Sequence, residues 1–237
     1  MANKDSLFNG IAWWKWLCMA LLLGVCVAGF IGPVPRLPIL NETIRNLYFH
    51  VTMWFGMTIL LLTSAGYAIA YLAKPTVKKD LIFTEYTHMA IIFGLIGLIT
   101  GSVWARVTWD AWWVWEDPKL RYVPAGMLIY LAFLVLRLAI DEPQQRARVA
   151  AVFVIFALPS FLSLIYVLPR MSPESLHPGN GGNPGFNSYD LNSQMRPIFY
   201  GGVLAFTLLG FWMASLRIRW RYLTYQRIEH ASLENEL

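Results

Sequence analysis

Residues 51–73 read "VTMWFGMTILLLTSAGYAIAYLA", a run without one charged side chain. A helix needs about 20 mostly apolar residues to cross the hydrocarbon of a bilayer, and this run meets that length. Helix is the form to expect, because hydrocarbon offers no water to backbone N–H and C=O groups and a helix satisfies them within one segment. Five further blocks follow the same rule: 16–32, 87–107, 122–140, 148–168 and 195–216. The whole chain is 57% hydrophobic and 14% charged, against about 25% charged in soluble domains. The fold class is therefore all-α: a polytopic membrane protein of six transmembrane helices, a single domain over 1–237. The first block is followed by "PVPRLP" and not by a small-residue cleavage site, so it reads as a retained span and not as a signal peptide.

Lysine and arginine choose the side of the membrane. With the N-terminus inside, twelve of the 19 fall on the cytoplasmic side, among them Lys74, Lys78, Lys79, Arg217, Arg219 and Arg221. The others, Arg36, Arg45, Arg106, Lys119, Arg121, Arg170 and Arg196, fall outside. The orientation expected is N-in and C-in, with outer segments 33–50, 108–121 and 169–194. The net charge of +5 is carried by the inner connections and is scattered along membrane edges, which gives no footprint for nucleic acid. The inner connections "LAKPTVKKD" and "DEPQQRAR" each hold a proline and read as helix-stopping turns. Cys18 and Cys26 stand eight helical positions apart, about 12 Å along the axis, too far for a disulfide. No C-x-x-C-H occurs, so the chain does not carry the attachment motif for covalent haem.

The outer segments hold what is unusual. "WARVTWDAWWVWEDPKL", residues 104–120, contains five of the eleven tryptophans. Trp13, Trp14, Trp54, Trp212 and Trp220 suit membrane-edge anchors, but the crowd at 104–115 exceeds what anchoring needs. Taken as an interfacial helix on the outer face, the segment puts Trp109, Trp112, Trp113 and Glu116 on one side, with Trp115 off it. Asp110, Glu116 and Asp117 flank Pro118, where helix termination and solvation explain them. The segment 169–194 is rich in Pro, Gly, Asn and Ser and reads as a long loop. His50 lies at the mouth of the second span and His177 in that loop, and an even number of spans separates them. They therefore face one compartment, shared with the tryptophans, while His88 and His230 face the other. Glu85 and His88 can pair at i, i+3. Two imidazoles can ligate one haem iron, flat aromatic surface suits a porphyrin, and Arg106, Lys119 and Arg121, with Arg45 further off, are cations for its propionates.

"TWDAWWVWEDP", with "YFHV" before the second span and "SLHPG" before the sixth, resembles the CcmC family, the tryptophan-motif haem-handling membrane proteins of cytochrome c maturation system I. The resemblance implies haem b held without covalent attachment by His50 and His177, on the periplasmic face of a bacterial inner membrane. It implies a platform of Trp109, Trp112, Trp113 and Trp115, with Glu116 and Asp117 as motif acids; Arg106 and Arg121 join the site on the reading of charge above. The family pattern commonly has Gly where Asp110 stands and a Trp-Asp pair where this chain has Trp115-Glu116-Asp117, so two acids compete for the motif position. The implied partners are a membrane-anchored haem chaperone, which receives the haem, and ABC-type transporter subunits. The implied role is that of a carrier, with ATP hydrolysis in a separate subunit, and not of an enzyme. The alternatives are a cytochrome c synthase of system II type, an electron-transfer subunit, and a haem-transporting ABC-type permease. The first two call for histidines paired at membrane depth, and no histidine here lies mid-span. The span interiors show no polar path for the third.

Overall fold

The computed structural model describes residues 12–171, 175–177 and 191–235. Among them helix is the regular secondary structure throughout, with short non-helical connections, and six helices are long and apolar enough to cross a membrane. They are α1 (Trp13–Ile31), α2 (Leu47–Ala73), α3 (Val77–Trp109), α4 (Pro118–Ala139), α5 (Pro143–Leu162) and α6 (Met195–Asn235). A 3₁₀ turn, Asn41–Asn46, leads into α2. A π turn, Ser163–Val167, and a 3₁₀ turn, Leu168–Arg170, continue α5. Most of the loop 169–194 lies outside the described residues.

The helices outrun the apolar blocks because capping, not hydropathy, decides where they end. Thr76 accepts from the N–H of Lys79 at the start of α3, and the Lys79 ammonium donates to the carbonyls of Ala70 and Lys74. Orphan carbonyls at the end of α2 are thereby satisfied. Glu142 caps α5 through the N–H groups of Gln144 and Gln145, with Pro143 as the first helical residue.

α2 is the central post, packed against α3, α5 and α6, while α1 rests mainly on α6 and α4 on α5. The mid-bundle core is built from Met57, Leu60, Met89, Phe93, Tyr130 and Phe161. Ser64 Oγ donates to Phe83 O at 2.7 Å across the α2–α3 contact. At one end of the bundle the fully buried Glu85 of α3 accepts from Arg217 (2.5 Å) and Arg221 (2.6 Å) of α6, and His88 Nδ1 lies 3.3 Å away. Nearby, Arg137 grips Asp80 with two bonds of 2.7 and 3.1 Å, joining α4 to α3. The Glu85–His88 pair expected from spacing is present, and two arginines join it.

The tryptophan segment is not an interfacial helix. α3 runs on to Trp109, and residues 110–117 form no helix. Asp110 closes α3 in the left-handed region at φ 57°, a conformation Asp tolerates better than most residues. Pro118 then disfavours helical backbone at Asp117 and becomes the first residue of α4, capped by Asp117 itself. Glu116 and Asp117 therefore precede a helix start where a helix end had been expected. The i, i+3 face of Trp109, Trp112, Trp113 and Glu116 does not exist.

Candidate functional site

His50 sits in the first turn of α2 and is 7% exposed. Its Nδ1 lies 3.0 Å from Gly97 O and 3.2 Å from Thr100 Oγ1. A carbonyl oxygen only accepts, and the Thr100 hydroxyl proton is directed to Ile96 O at 2.8 Å. Nδ1 therefore carries the hydrogen, and Nε2 is the lone-pair nitrogen. Metal-binding histidines are set in this way, one ring nitrogen donating to a carbonyl so that the other can ligate. Trp54 and Trp104 meet the ring edge-on, at centroid distances of 6.4 and 5.9 Å. Trp104 Nε1 donates to Thr43 Oγ1 at 3.0 Å, which fixes that indole to the 3₁₀ turn before α2. Arg45 is used elsewhere: it donates to Gly29 O and Gly32 O, at the end of α1.

His177 comes to the same place from the far end of the chain. Its ring centroid lies 6.2 Å from that of His50, with the planes at 52°, and 6.4 Å from that of Trp109. Asp117 holds the residues around it. This carboxylate is 4% exposed. It accepts the N–H groups of Lys119 (2.8 Å) and Leu120 (3.3 Å) at the start of α4. It also accepts the Ser175 hydroxyl (2.9 Å) and the Leu176 N–H (2.7 Å) from the loop. Ser175 Oγ in turn accepts the N–H of His177, and the Lys119 ammonium donates to His177 O at 3.1 Å. Burial works to raise the Asp117 pKa, but the bonds from Ser175, Leu176, Lys119 and Leu120 outweigh it and hold the carboxyl below its ordinary value. One acid thus caps a helix and clasps the histidine loop.

Both imidazoles line a cavity of about 1100 Å³, counting the part open to solvent at its mouth. Its walls come from α2, α3, α4 and the turns after α5, and they are mainly apolar and aromatic, with Lys119 and Arg170 the lysine and arginine among them. Tyr166, in the π turn, is tied to Thr58 of α2 at 2.8 Å, and the Arg170 guanidinium lies 5.7 Å over its ring. π turns inside helices recur at functional sites.

The structure divides the residues singled out from the sequence. Trp109 and Trp113 line the cavity; Trp112 and Trp115 do not, and are 61% and 60% exposed. Trp115 touches Trp113 at 6.0 Å. Trp113 Nε1 is buried without a hydrogen-bond partner among the described residues. Arg106 pairs with Asp110, and Arg121 donates to Trp115 O and Glu116 O. Neither arginine lines the cavity, and Glu116 is exposed. Trp54 is a wall and not a membrane anchor. Sequence reasoning missed Trp54, Trp104 and Arg170 as wall residues. The signal for Trp54 was available, since it stands one turn past His50 on the same helix face.

Among the described residues no third His, Cys, Asp or Glu joins the imidazoles as a metal-binding group. A metal held between them has to bring its other ligands with it, as a porphyrin iron does. Two imidazoles on opposite sides of one iron stand about 6 Å apart centre to centre, given metal–nitrogen bonds of about 2.0 Å. The residues present fit such a group.

The family described as "CcmC: Heme exporter protein C" matches residues 3–230 of the chain. Among individual relatives, the "Heme exporter protein C" of Escherichia coli K12 is 23% identical over 226 residues, which cover 92% of this chain and 88% of that protein. The "Heme exporter protein C" of Bradyrhizobium diazoefficiens is 29% identical over 113 residues, 47% of this chain and 42% of that protein. A "Cytochrome c biogenesis protein CcsA" from Prochlorococcus marinus is 33% identical over 87 residues, 35% of this chain and 27% of that protein.

Proposed function

Because the chain belongs to the CcmC (heme exporter protein C) family, we propose that it handles haem for cytochrome c maturation by holding one haem b between His50 and His177. The observation that carries this reading is the pair of imidazoles, 6.2 Å apart in an aromatic-walled cavity. His50 meets the iron through Nε2, with its tautomer set by Gly97 O. His177 meets it from the other side, held by the Asp117 clasp. Trp54, Trp104, Trp109 and Trp113 pack around the macrocycle. Lys119 and Arg170 supply positive charge for the propionates, in place of Arg106 and Arg121.

The haem is cargo, and the protein acts as a carrier and not as an enzyme. The cavity opens at the end of the bundle away from Lys78, Lys79 and Arg217, and the excess of lysine and arginine at that far end supports its placement on the cytoplasmic side. The haem site then faces the periplasm of a bacterial inner membrane. The exposed Trp112 and Trp115 beside the cavity suit contact with the acceptor, a membrane-anchored haem chaperone. ABC-type subunits with their own ATPase complete the machinery.

The likeness to a CcsA protein keeps a synthase in view, but the chain has four histidines in all. His88, His50 and His177 are accounted for by an ion-pair cluster and the cavity, which leaves no pair for a second haem.

The test is the absorbance spectrum of detergent-purified protein. The expected result is a six-coordinate, low-spin haem with two imidazoles, and loss of that signature in His50→Ala and in His177→Ala. Unchanged spectra in both variants sink the ligand assignment.

A further inference from the structure

The helix facing His50 carries a ladder of glycines that matches α2 residue for residue. Gly101 faces His50, Gly97 faces Trp54 and Gly94 faces Met57, in antiparallel register. A Cβ on Gly97 would stand 3.0 Å from the Trp54 indole, and one on Gly94 2.7 Å from Met57 Sδ. The tightest place that involves the cavity is Gly101. A Cβ there would stand 2.6 Å from His50 Cε1 and 3.2 Å from Nδ1, where ordinary contact begins at 3.4 Å. The ring lies flush in the space that a side chain would fill. The same turn of α3 supplies Gly97 O and Thr100 Oγ1, the two acceptors of Nδ1–H.

We infer that Gly101 is the positioning residue for the His50 imidazole: its missing side chain is the seat against which α3 holds the ring with Nδ1–H on Gly97 O and Nε2 toward the cavity. The inference rests on the reading of His50 as a haem ligand. The physics is steric. The contact is with the ring itself, which Trp54 and Trp104 meet edge-on, so it cannot be relieved by moving the tip of a flexible side chain. A methyl group at 101 turns the ring off Gly97 O. That frees the choice of tautomer and takes Nε2 off the iron. Groups that orient a metal-bound histidine cost about 10–100-fold in affinity when they are lost.

The test compares wild type, Gly101→Ala, His50→Ala and the double variant, each purified as the full chain and titrated with haem. Gly101→Ala is expected to lose the paired-imidazole signature and to bind haem about 10–100-fold more weakly. Adding it to His50→Ala is expected to change nothing further, because a residue that acts through another is not additive with it. A general packing defect would add in both backgrounds. If Gly101→Ala alone does not fold, removal of the ring it strikes has to restore a folded, monodisperse protein in the double variant. The seat is overturned by a Gly101→Ala protein with a wild-type spectrum, by full additivity in the double variant, or by a double variant that also fails to fold. A wild-type spectrum without paired imidazoles sinks the ligand reading itself, and the seat with it.

Discussion

Two buried titratable side chains, Glu85 and His50, lie on neighbouring helices toward opposite ends of the bundle. Along α3 the sixteen residues from Glu85 to Gly101, the seat of His50, span about 24 Å. Glu85 is saturated: two guanidiniums occupy its oxygens and His88 stands beside it. His50 has one nitrogen satisfied by a carbonyl and a hydroxyl, and the other left with a lone pair toward a cavity. A buried polar group whose whole hydrogen-bonding capacity is used within the fold holds helices together. One that is held by half its capacity and aimed at open space is prepared for something the chain does not contain. The contrast separates residues of the same burial into structural and ligand-binding roles, which burial alone does not do.

The comparison breaks first at Glu85. Glu85→Ala leaves Arg217 and Arg221 without their carboxylate. Removing one partner of a buried ion pair costs about 3–5 kcal/mol, and the lower figure applies because both arginines are nearly half exposed. Thermal unfolding in detergent is expected to shift down accordingly, while the folded fraction keeps its haem spectrum. A changed spectrum with unchanged stability would reverse the two roles.

Asp117→Asn sharpens the other end. Asparagine still caps α4, but it loses the charge that grips Ser175 and Leu176. Haem titration is expected to show affinity about 10–100-fold lower, and thermal unfolding at neutral pH is expected to shift down. Its pH dependence has a definite sign. The folded-state pKa of Asp117 is held below the unfolded value, so its contribution is complete above the ordinary carboxylate range and fades as pH falls through the folded value. The stability gap between wild type and Asp117→Asn should therefore be full at neutral pH and close in acid, as thermal unfolding across that range would show. A gap that widens in acid would show that Asp117 does not act as a carboxylate.

Trp112→Ala tests the division among the tryptophans. Haem content and spectrum should stay at wild-type values, and transfer to the chaperone should slow several-fold. Loss of haem instead would put Trp112 inside the site. The smallest effect belongs to Arg121→Gln, whose bonds are to exposed backbone carbonyls. Stability should move by no more than about 0.5 kcal/mol, and haem affinity should not respond, as a titration at low and high salt would show.

Much of this was legible along the chain. Hydropathy marked all six helices, because the requirement to satisfy backbone groups in hydrocarbon acts on each segment alone. Counting spans put His50 and His177 in one compartment before any contact was known. The tryptophan segment was legible as unusual but not as a shape. Its helical face depended on continuous backbone geometry, and Asp110 and Pro118 interrupt it. Asp117 read as one of two equivalent acids. Only the return of residues 175–177 against it, from nearly sixty positions away, separates it from the exposed Glu116.

What the sequence determined alone is the class of object: six membrane-length helices, a family-specific motif, and two histidines facing the same compartment. These are additive properties of short stretches, or of counting. The tertiary structure decided which indoles and which cations line the cavity, which acid clasps the loop, and which glycine of α3 lies against His50. Each of those depends on the close approach of segments remote in sequence, where a single methyl group decides whether a ring can lie flat, and no local pattern records that distance.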